Sequence, residues 1–225
     1  LSEWIVDGSM SREPPDPPVT RVALRRLADL SARGWVSGDL HVHMNYGGAY
    51  RNTPERLVMQ ARAEGLRIVE NLVVNKEQRV PDIGYFRTTP DPASRPDLLL
   101  MHGQEFHTSI WGHMGVLGLT AHYLMPDYAG YPSTAVASLA FDNVAVADLA
   151  REQGALTGYV HPFDTLPDPT DAKTPLANAL PVNVALGKSD YYEVMGFSDH
   201  LATSTVWYRL LNCGFPLPAG AGTDA

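Results

Sequence analysis

Two histidines stand two residues apart in the segment GDLHVH at residues 38–43. Apolar residues alternate there with Asp39, His41 and His43, and this period of two is typical of a β-strand. At this spacing both imidazoles project from one face of the strand, close enough to bind the same metal ion. The pair alone fits two ordinary polar residues at a strand end equally well, so the rest of the chain has to decide.

The other residues that could bind metal share one feature, a position where a predicted strand meets a loop. Because parallel α/β barrels gather the carboxyl ends of their strands on one face, such residues would meet there. Imidazole and carboxylate groups are suitable ligands for one or two first-row metal ions. The residues concerned are Glu105, His107, His113, His161 and Asp224.

Alternating strand and helix patterns are expected to position these residues. Thr53 is a good N-cap, Pro54 fits the first helical position and Gly65 is a good stop, so they predict a helix between two parallel strands. The Pro-rich stretches 75–96 and 163–188 are predicted as long loops, and the first of them could cover the site. Further helices are predicted over residues 21–32, 143–154 and 200–212, and further strands over residues 66–74, 97–107, 113–119, 155–161, 191–197 and 217–223.

Composition excludes several classes of protein. The 225 residues suffice for one large domain with a real core. The net charge is −8 and no basic run occurs, which argues against a nucleic-acid partner and leaves a small-molecule substrate. Cys213 is the only cysteine, so no disulfide and no Cys-based zinc site can form within the chain. No apolar stretch approaches the ~18 residues that span a bilayer, so we expect a soluble protein, either cytoplasmic or exported to the periplasm.

Five segments occur in the order found in the PHP (polymerase and histidinol phosphatase) metallohydrolases, which this chain resembles from about Trp35 to its C-terminus. The segments at residues 41–57 and 70–78 are similar to the CehA/McbA-like branch of that family. The resemblance implies an α/β fold, a distorted (β/α)7-type PHP barrel with its metal site at the C-terminal ends of the strands. The five segments read GDLHVH at 38–43, HGQEF at 102–106, GHMGVLG at 112–118, GYVHPFD at 158–164 and GTD at 222–224.

The resemblance also implies two sets of metal ligands that share Glu105. Residues 45–48 and 74–76 lack the acidic and histidine ligands of the three-metal enzymes, so we expect a binuclear site, with a mononuclear one as the fallback. Zn, Mn and Fe fit mixed nitrogen and oxygen ligands about equally well. The first ion would take His41, His43, Glu105 and Asp224, and the second would take Glu105, His113 and His161.

The N-terminal part is expected to be a lead-in to this domain. Residues 12–20 hold four prolines among Glu and Asp, which is typical of a stiff linker. We therefore predict that residues 1–34 lead in from a missing upstream domain and that residues 35–225 form the PHP-like metallohydrolase domain. Since the chain starts without Met and stops one residue after Asp224, we expect further segments upstream and downstream and a domain truncated at its C-terminus.

The predicted chemistry is hydrolysis by a metal-activated hydroxide. Asp224 is the candidate acceptor of the water proton, and Asp39 is the candidate for orienting an imidazole. Glu193 fits a supporting or a catalytic role equally well. The candidates for orienting substrate or protonating the leaving group are Lys76, His107 and His200.

The branch implies a metal-dependent hydrolase of an ester, carbamate or amide. A PHP-type phosphoesterase is the first alternative, although the missing third-metal ligands and the absence of a clustered Arg/Lys clamp weigh against it. A non-catalytic metal-containing binding domain is the second alternative, and the near-complete set of ligands for two ions argues against it.

Overall fold

The structure is a computed structural model that describes residues 23, 27–45, 51–74, 81–108, 111–124, 142–171 and 178–225. The chain divides into two units, Leu1–Val36 and Ser37–Ala225, and the second contains the candidate site. In the first unit a 3-10 helix spans Ser31–Arg33 and ends at Gly34, whose φ is 80°. Residues 27–30 are not helical, and most of the helix predicted over residues 21–32 lies outside the described residues. None of the helices in the described ranges is long and apolar enough to cross a membrane.

Seven strands of the second unit form one sheet in chain order. The strands are β1 Gly38–Val42, β2 Ile68–Val74, β3 Leu99–His107, β4 His113–Leu117, β5 Leu156–Tyr159, β6 Tyr191–Met195 and β7 Ala219–Ala221. The α-helices are α1 Pro54–Ala63, α2 Asn143–Glu152, α3 Leu180–Ala185 and α4 His200–Asn212. A short 3-10 segment, Pro81–Tyr85, lies inside the predicted loop at residues 75–96, of which residues 75–80 are outside the described part.

The helix caps explain why three of the predicted helices begin where they do. The side chain of Thr53 accepts a hydrogen bond from the backbone of Arg56, while Asp142 caps α2 and Asp199 caps α4 in the same way. Helix α1 then buries Leu57, Val58 and Ala61 against Val42, Val69 and Leu100 of the first three strands. Since Val42 faces this outer layer, His41 and His43 point to the opposite face of β1.

Strand β4 runs against the predicted parallel direction. It pairs antiparallel with both β3 and β5, whereas the other four pairings are parallel. Only residues 108–112 separate β3 from β4, and a parallel return would need a crossover of about a dozen residues. The reversal places His113 at the first position of β4 directly opposite His107 at the last position of β3.

The sheet curls until β7 approaches β1, and hydrogen bonds between three pairs of residues join these edges. The backbone N–H of His43 donates to Ala225 O at 2.7 Å, and that of Asp224 donates to His41 O at 2.8 Å. Asp39 accepts from the backbone of Thr223 at 3.0 Å and from its hydroxyl at 2.7 Å. The result is a nearly closed barrel in which residues 223–225 lie beside the His-x-His strand.

Candidate metal centre

Four side chains aim one ligand atom each at a common point. The Nε2 atom of His43 lies 3.1 Å from His41 Nε2, 3.0 Å from Glu105 Oε2 and 3.0 Å from Asp224 Oδ1. The Nε2 atom of His41 lies 3.7 Å from the same Glu105 oxygen and 3.4 Å from the same Asp224 oxygen. Ligand atoms about 2.1 Å from a tetrahedral ion stand about 3.4 Å from each other. The spacing of these four atoms therefore fits a divalent metal ion.

Both imidazoles are held in the tautomer that a metal needs. His43 Nδ1 lies 2.7 Å from the carbonyl oxygen of Leu72, and since a carbonyl only accepts, Nδ1 carries the hydrogen. His41 Nδ1 lies 3.0 Å from the Glu193 carboxylate, which fixes that ring in the same way. In its neutral form each ring then presents the lone pair of Nε2 to the cluster, as metal-binding histidines do.

A second group of imidazoles surrounds Glu105. Its Oε1 atom lies 2.9 Å from His113 Nδ1 and 2.9 Å from His161 Nε2, while Oε2 lies 2.8 Å from His107 Nε2. The rings of His107 and His113 stack with their centroids 3.6 Å apart. Ligand atoms of Glu105, His107 and His113 also lie within 4.8 Å of one another. Glu105 thus faces His43 and His107 with Oε2 and faces His113 and His161 with Oε1, which is the arrangement of a bridging ligand.

The charges in this cluster are buried. Burial alone would raise the pKa of Glu105, but hydrogen bonds from His107, His113 and His161 hold it well below its usual range. Burial alone would lower the pKa of His41, but hydrogen bonds to Glu105 and Glu193 raise it to about 10. Carboxylate charge therefore dominates the site, and either protons on the imidazoles or a metal cation must balance it.

Glu193 ties the two histidine groups together. Its carboxylate is 1% exposed, with Oε2 on the His41 ring and Oε1 accepting from the backbone N–H of His161 at 3.0 Å. The sequence left the role of Glu193 open and assigned the orientation of an imidazole to Asp39. The assignment to Asp39 was wrong, because its carboxylate accepts from the backbone N–H of His41 at 3.0 Å and from Thr223. Glu193 supports the ring, and Asp39 supports the backbone.

Two residues of the cluster have strained backbones. Within the described ranges, His161 with φ 29° and Asp224 with φ 57° are the non-glycine residues with positive φ. Such conformations cost about 1–3 kcal/mol each and persist where the surroundings enforce them. Here the carbonyl oxygen of His161 accepts from Ser198 Oγ at 2.6 Å, and the N–H of Asp224 is bound by His41 O. Both side chains are thereby directed into the cluster.

The other predicted site residues have different surroundings. His107 lies among the predicted ligands, with Nε2 2.8 Å from Glu105 Oε2, and its role toward the substrate stays a prediction. His200 begins α4, is exposed, and lines a separate cleft beside Asp39 and Thr223. Lys76 lies outside the described residues, so its role remains a prediction. The six predicted ligands do meet in space, namely His41, His43, Glu105, His113, His161 and Asp224.

No protein-family model matches the chain, and no curated protein matches it. Solved structures with a similar fold include a putative metal-dependent phosphoesterase from Bifidobacterium adolescentis, with a TM-score of 0.52 and 13% identity over 84% of this chain and 87% of that one. An amidohydrolase from Chromobacterium violaceum has a TM-score of 0.54 and 15% identity over the same shares. A two-domain protein from Bacteroides vulgatus contains a predicted PHP-like metal-dependent phosphoesterase. It has a TM-score of 0.51 and 17% identity over 84% of this chain and 51% of its own.

This chain has the PHP-barrel fold. The predicted fold class, an α/β PHP barrel, is thereby confirmed. At these identities the likeness concerns the fold, and the chemistry has to be argued from the side chains of the site.

Proposed function

We propose that this chain is a metal-dependent hydrolase of the PHP superfamily that acts on a small-molecule substrate. The observation that carries the proposal is the convergence of two Nε2 lone pairs on two carboxylate oxygens while both Nδ1 atoms are bonded elsewhere. A structural role would not require both rings to aim the same nitrogen at one point. A metal ion does require the free nitrogens of its histidine ligands to point to one site while the other ring nitrogens are hydrogen-bonded elsewhere.

The ligands divide between two ions, as the resemblance implies. His41, His43, Glu105 and Asp224 would hold one, and Glu105 with His113 and His161 would hold the other. When bound, the ions would supply a Lewis acid for the scissile group and lower the pKa of a coordinated water toward neutrality. Zn, Mn and Fe all suit this donor set.

The cluster opens to solvent on one side, which gives the direction of substrate approach. The side chains of His113, His161 and Asp224 are 32%, 18% and 18% exposed, whereas those of His41 and Glu105 are at most 1% exposed. We place the substrate over the exposed three. Asp224 uses Oδ1 toward the histidine pair, so its Oδ2 atom is the acceptor we assign to the proton of the attacking water.

His107 is better suited to hold Glu105 than to touch the substrate. Its side chain is 5% exposed and its Nε2 atom is 2.8 Å from Glu105 Oε2. We therefore assign it a role as a further ligand or as a hydrogen-bond donor to Glu105. Lys76 and His200 remain the candidates for orienting substrate or protonating the leaving group.

The bond that is cleaved is proposed to be an ester, carbamate or amide bond, in keeping with the resemblance to the CehA/McbA-like branch. Several ion-paired basic side chains of the described ranges bind carboxylates outside the cluster, in the pairs Arg62–Asp97, Arg151–Asp190 and Lys188–Asp148. These three basic side chains are paired outside the cluster and do not form a binding site for an anionic substrate there. A phosphoesterase is the second candidate, and the fold it shares with two proteins described as metal-dependent phosphoesterases favours it.

A substrate panel tests the proposed function. The protein is loaded with Zn²⁺, Mn²⁺ or Fe²⁺ and assayed with an aryl acetate, an aryl carbamate, an anilide, and an aryl phosphate mono- and diester. We expect metal-dependent turnover that His41→Ala abolishes and that the exposed His122→Ala leaves unchanged. A folded, metal-loaded protein that hydrolyses none of the panel would favour the non-catalytic binding domain instead.

A further inference from the structure

We propose that a buried relay of Asp91, His102 and Asn71 fixes the backbone that carries His43 and is thereby a positioning device for the metal centre. This inference rests on the proposed function, because it assumes that His43 binds a metal ion. The three residues lie behind the sheet, on the side that the cluster does not use, and nothing in the reaction requires them to touch substrate.

The relay is a continuous chain of hydrogen bonds. Asp91 Oδ2 lies 3.0 Å from His102 Nε2, and His102 Nδ1 lies 3.1 Å from Asn71 Nδ2. The other end of the same amide, Asn71 Oδ1, accepts from the backbone N–H of Met44 at 2.9 Å. Met44 directly follows His43, so the relay ends one peptide unit from a predicted ligand.

Only one arrangement of hydrogens satisfies this chain. The backbone N–H of Met44 can only donate, so the atom facing it must be the amide oxygen of Asn71. The amide NH₂ then faces His102 Nδ1, which must accept. His102 Nε2 therefore carries the hydrogen and donates to the Asp91 carboxylate. Each member fixes the orientation of the next, and Asp91 sets the direction of the whole relay.

His43 is held from both sides by neighbouring residues of β2. Leu72 O binds the Nδ1–H of its ring, and Asn71 binds the peptide that follows it. The hydrogen bond to Leu72 O selects the tautomer of the His43 ring, and the hydrogen bond from Met44 N–H to Asn71 fixes the backbone that carries this ring. Loss of the Asn71 bond would free the peptide after His43 while leaving the Leu72 carbonyl in place.

Burial makes the relay sensitive to any missing member. Asn71 is 0% exposed, and Asp91, His102 and Met44 are also buried. The ring of Tyr85 stacks on His102 with their centroids 5.6 Å apart, which excludes water from that side. In such surroundings an unsatisfied polar group is not rescued by solvent, so the remaining groups must move.

The test compares metal affinity and cobalt spectra. In Asn71→Leu and His102→Leu we expect Co²⁺ to bind about 10–100-fold more weakly, the range typical when a supporting partner of a ligand is removed, and the d–d absorption bands to shift. His102→Gln keeps one acceptor and one donor and should stay within about threefold of the parent. Thr157→Val is the matched control, because it removes a hydroxyl that is as buried as Asn71 and that binds Lys188 O and Asp190, outside the relay. It should lower the melting temperature without changing Co²⁺ affinity.

Two outcomes would overturn the relay. One is unchanged Co²⁺ affinity and spectrum in both leucine variants. The other is an equal loss of affinity in Thr157→Val, which would make the effect one of general stability. Histidine ¹⁵N NMR of the metal-free protein separates this inference from the proposed function. If the parent binds no Co²⁺, the proposed function fails. The relay is then judged by the His43 Nδ1–H signal, which should be sharp in the parent and broadened in Asn71→Leu, and an unchanged signal overturns it.

Discussion

A single carboxylate decides which nitrogen His41 presents to the cluster. Both oxygens of Glu193 have fixed hydrogen-bond partners. Oε1 accepts from the backbone N–H of His161, and Oε2 faces His41 Nδ1. An ionised carboxylate can accept at both oxygens, whereas an amide cannot. The metal-binding tautomer of His41 therefore depends on the charge of Glu193 and not only on its shape.

Glu193→Gln should weaken metal binding while keeping the shape of the side chain. The amide oxygen is needed by His161, so the NH₂ group faces His41 Nδ1 and forces the hydrogen onto Nε2. We expect Zn²⁺ affinity to fall about 10–100-fold, measured by competition with a chromophoric chelator. Glu152→Gln on the exposed surface of α2 is the control. Equal affinity in both variants and the parent would contradict this role.

Glu70 on β2 makes stability depend on pH. Burial raises its pKa from 4.5 to about 7, and its Oε2 atom has no hydrogen-bond partner among the described residues. The folded state thus disfavours the ionised form, so the free energy of unfolding should fall as the pH rises from about 4.5 through 7. The loss is on the order of 3 kcal/mol. Glu70→Gln removes this dependence.

Urea unfolding at two pH values measures that effect. Glu70→Gln should be more stable than the parent at pH 8 and nearly equal to it at pH 5. The exposed Glu64→Gln should change neither value. A parent protein whose stability does not fall between pH 5 and pH 8, relative to Glu70→Gln, would show that Glu70 ionises freely in the fold.

The strands bring the candidate ligands together, and the antiparallel direction of β4 places His113 near the others. A side chain at the start of a strand would lie at the wrong end of a parallel barrel. The antiparallel hairpin with β3 returns it to the side where β3 ends. Two glycines then make room inside the barrel, because a Cβ on Gly115 would stand 2.0 Å from Tyr191 Oη and one on Gly158 would stand 2.5 Å from the Tyr191 ring.

Gly115→Ala should destabilise the fold, and Tyr191→Phe should relieve part of the loss. The added methyl group meets the tyrosine hydroxyl, which is buried and has no hydrogen-bond partner in the described structure. We expect Gly115→Ala alone to lower the free energy of unfolding by about 1–3 kcal/mol. In a double-mutant cycle with Tyr191→Phe, the two changes should couple by about 1 kcal/mol. Gly84→Ala, where no atom lies within 4 Å, is the control. Strictly additive effects would contradict the packing argument.

Most elements were predictable because their signals are local. Caps and stops lie within a few residues of each helix, so α1, α2 and α4 were predicted near their observed bounds. Helix α3 was missed because it is six residues long, contains Pro181, and lies in a Pro-rich stretch that indicated a loop. The direction of β4 was missed although the short connection after β3 does signal a hairpin.

The six candidate ligands could be selected from the sequence because each lies at the end of a strand. The residues that support them could not. Glu193 lies 152 positions from His41, and Asn71 lies 31 positions from His102. Their pairing depends on the barrel register, which no local pattern encodes. A buried acid between apolar neighbours on a strand was the only available signal for Glu193.

The barrel closes between its last strand, β7, and its first strand, β1. Hydrogen bonds of Asp39 and of the 224–225 backbone join β7 to β1, and Asp224 is delivered to the cluster by the same contact. Closure and assembly of the metal site are therefore one structural event. Loss of the hydrogen bonds between β7 and β1 should therefore lower both the stability of the fold and the affinity for metal.

Asp39→Ala should lower the free energy of unfolding by about 2–4 kcal/mol, because it removes the buried acceptor of three hydrogen bonds, one from the buried backbone of His41 and two from Thr223. Metal affinity should fall in the same variant. Urea unfolding and Zn²⁺ competition measure the two effects. The exposed Asp164→Ala is the control. If Asp39→Ala lost stability but kept its metal affinity, closure of the barrel and assembly of the metal site would be independent.

Elemental analysis of the purified protein measures directly whether these side chains bind metal. The parent and His122→Ala should each contain about two equivalents of a divalent first-row metal. His41→Ala removes one of the four side chains that form the first metal cluster, so this variant should lose most of the bound metal. Near-zero metal in a folded parent protein, or full retention in His41→Ala, would contradict the account.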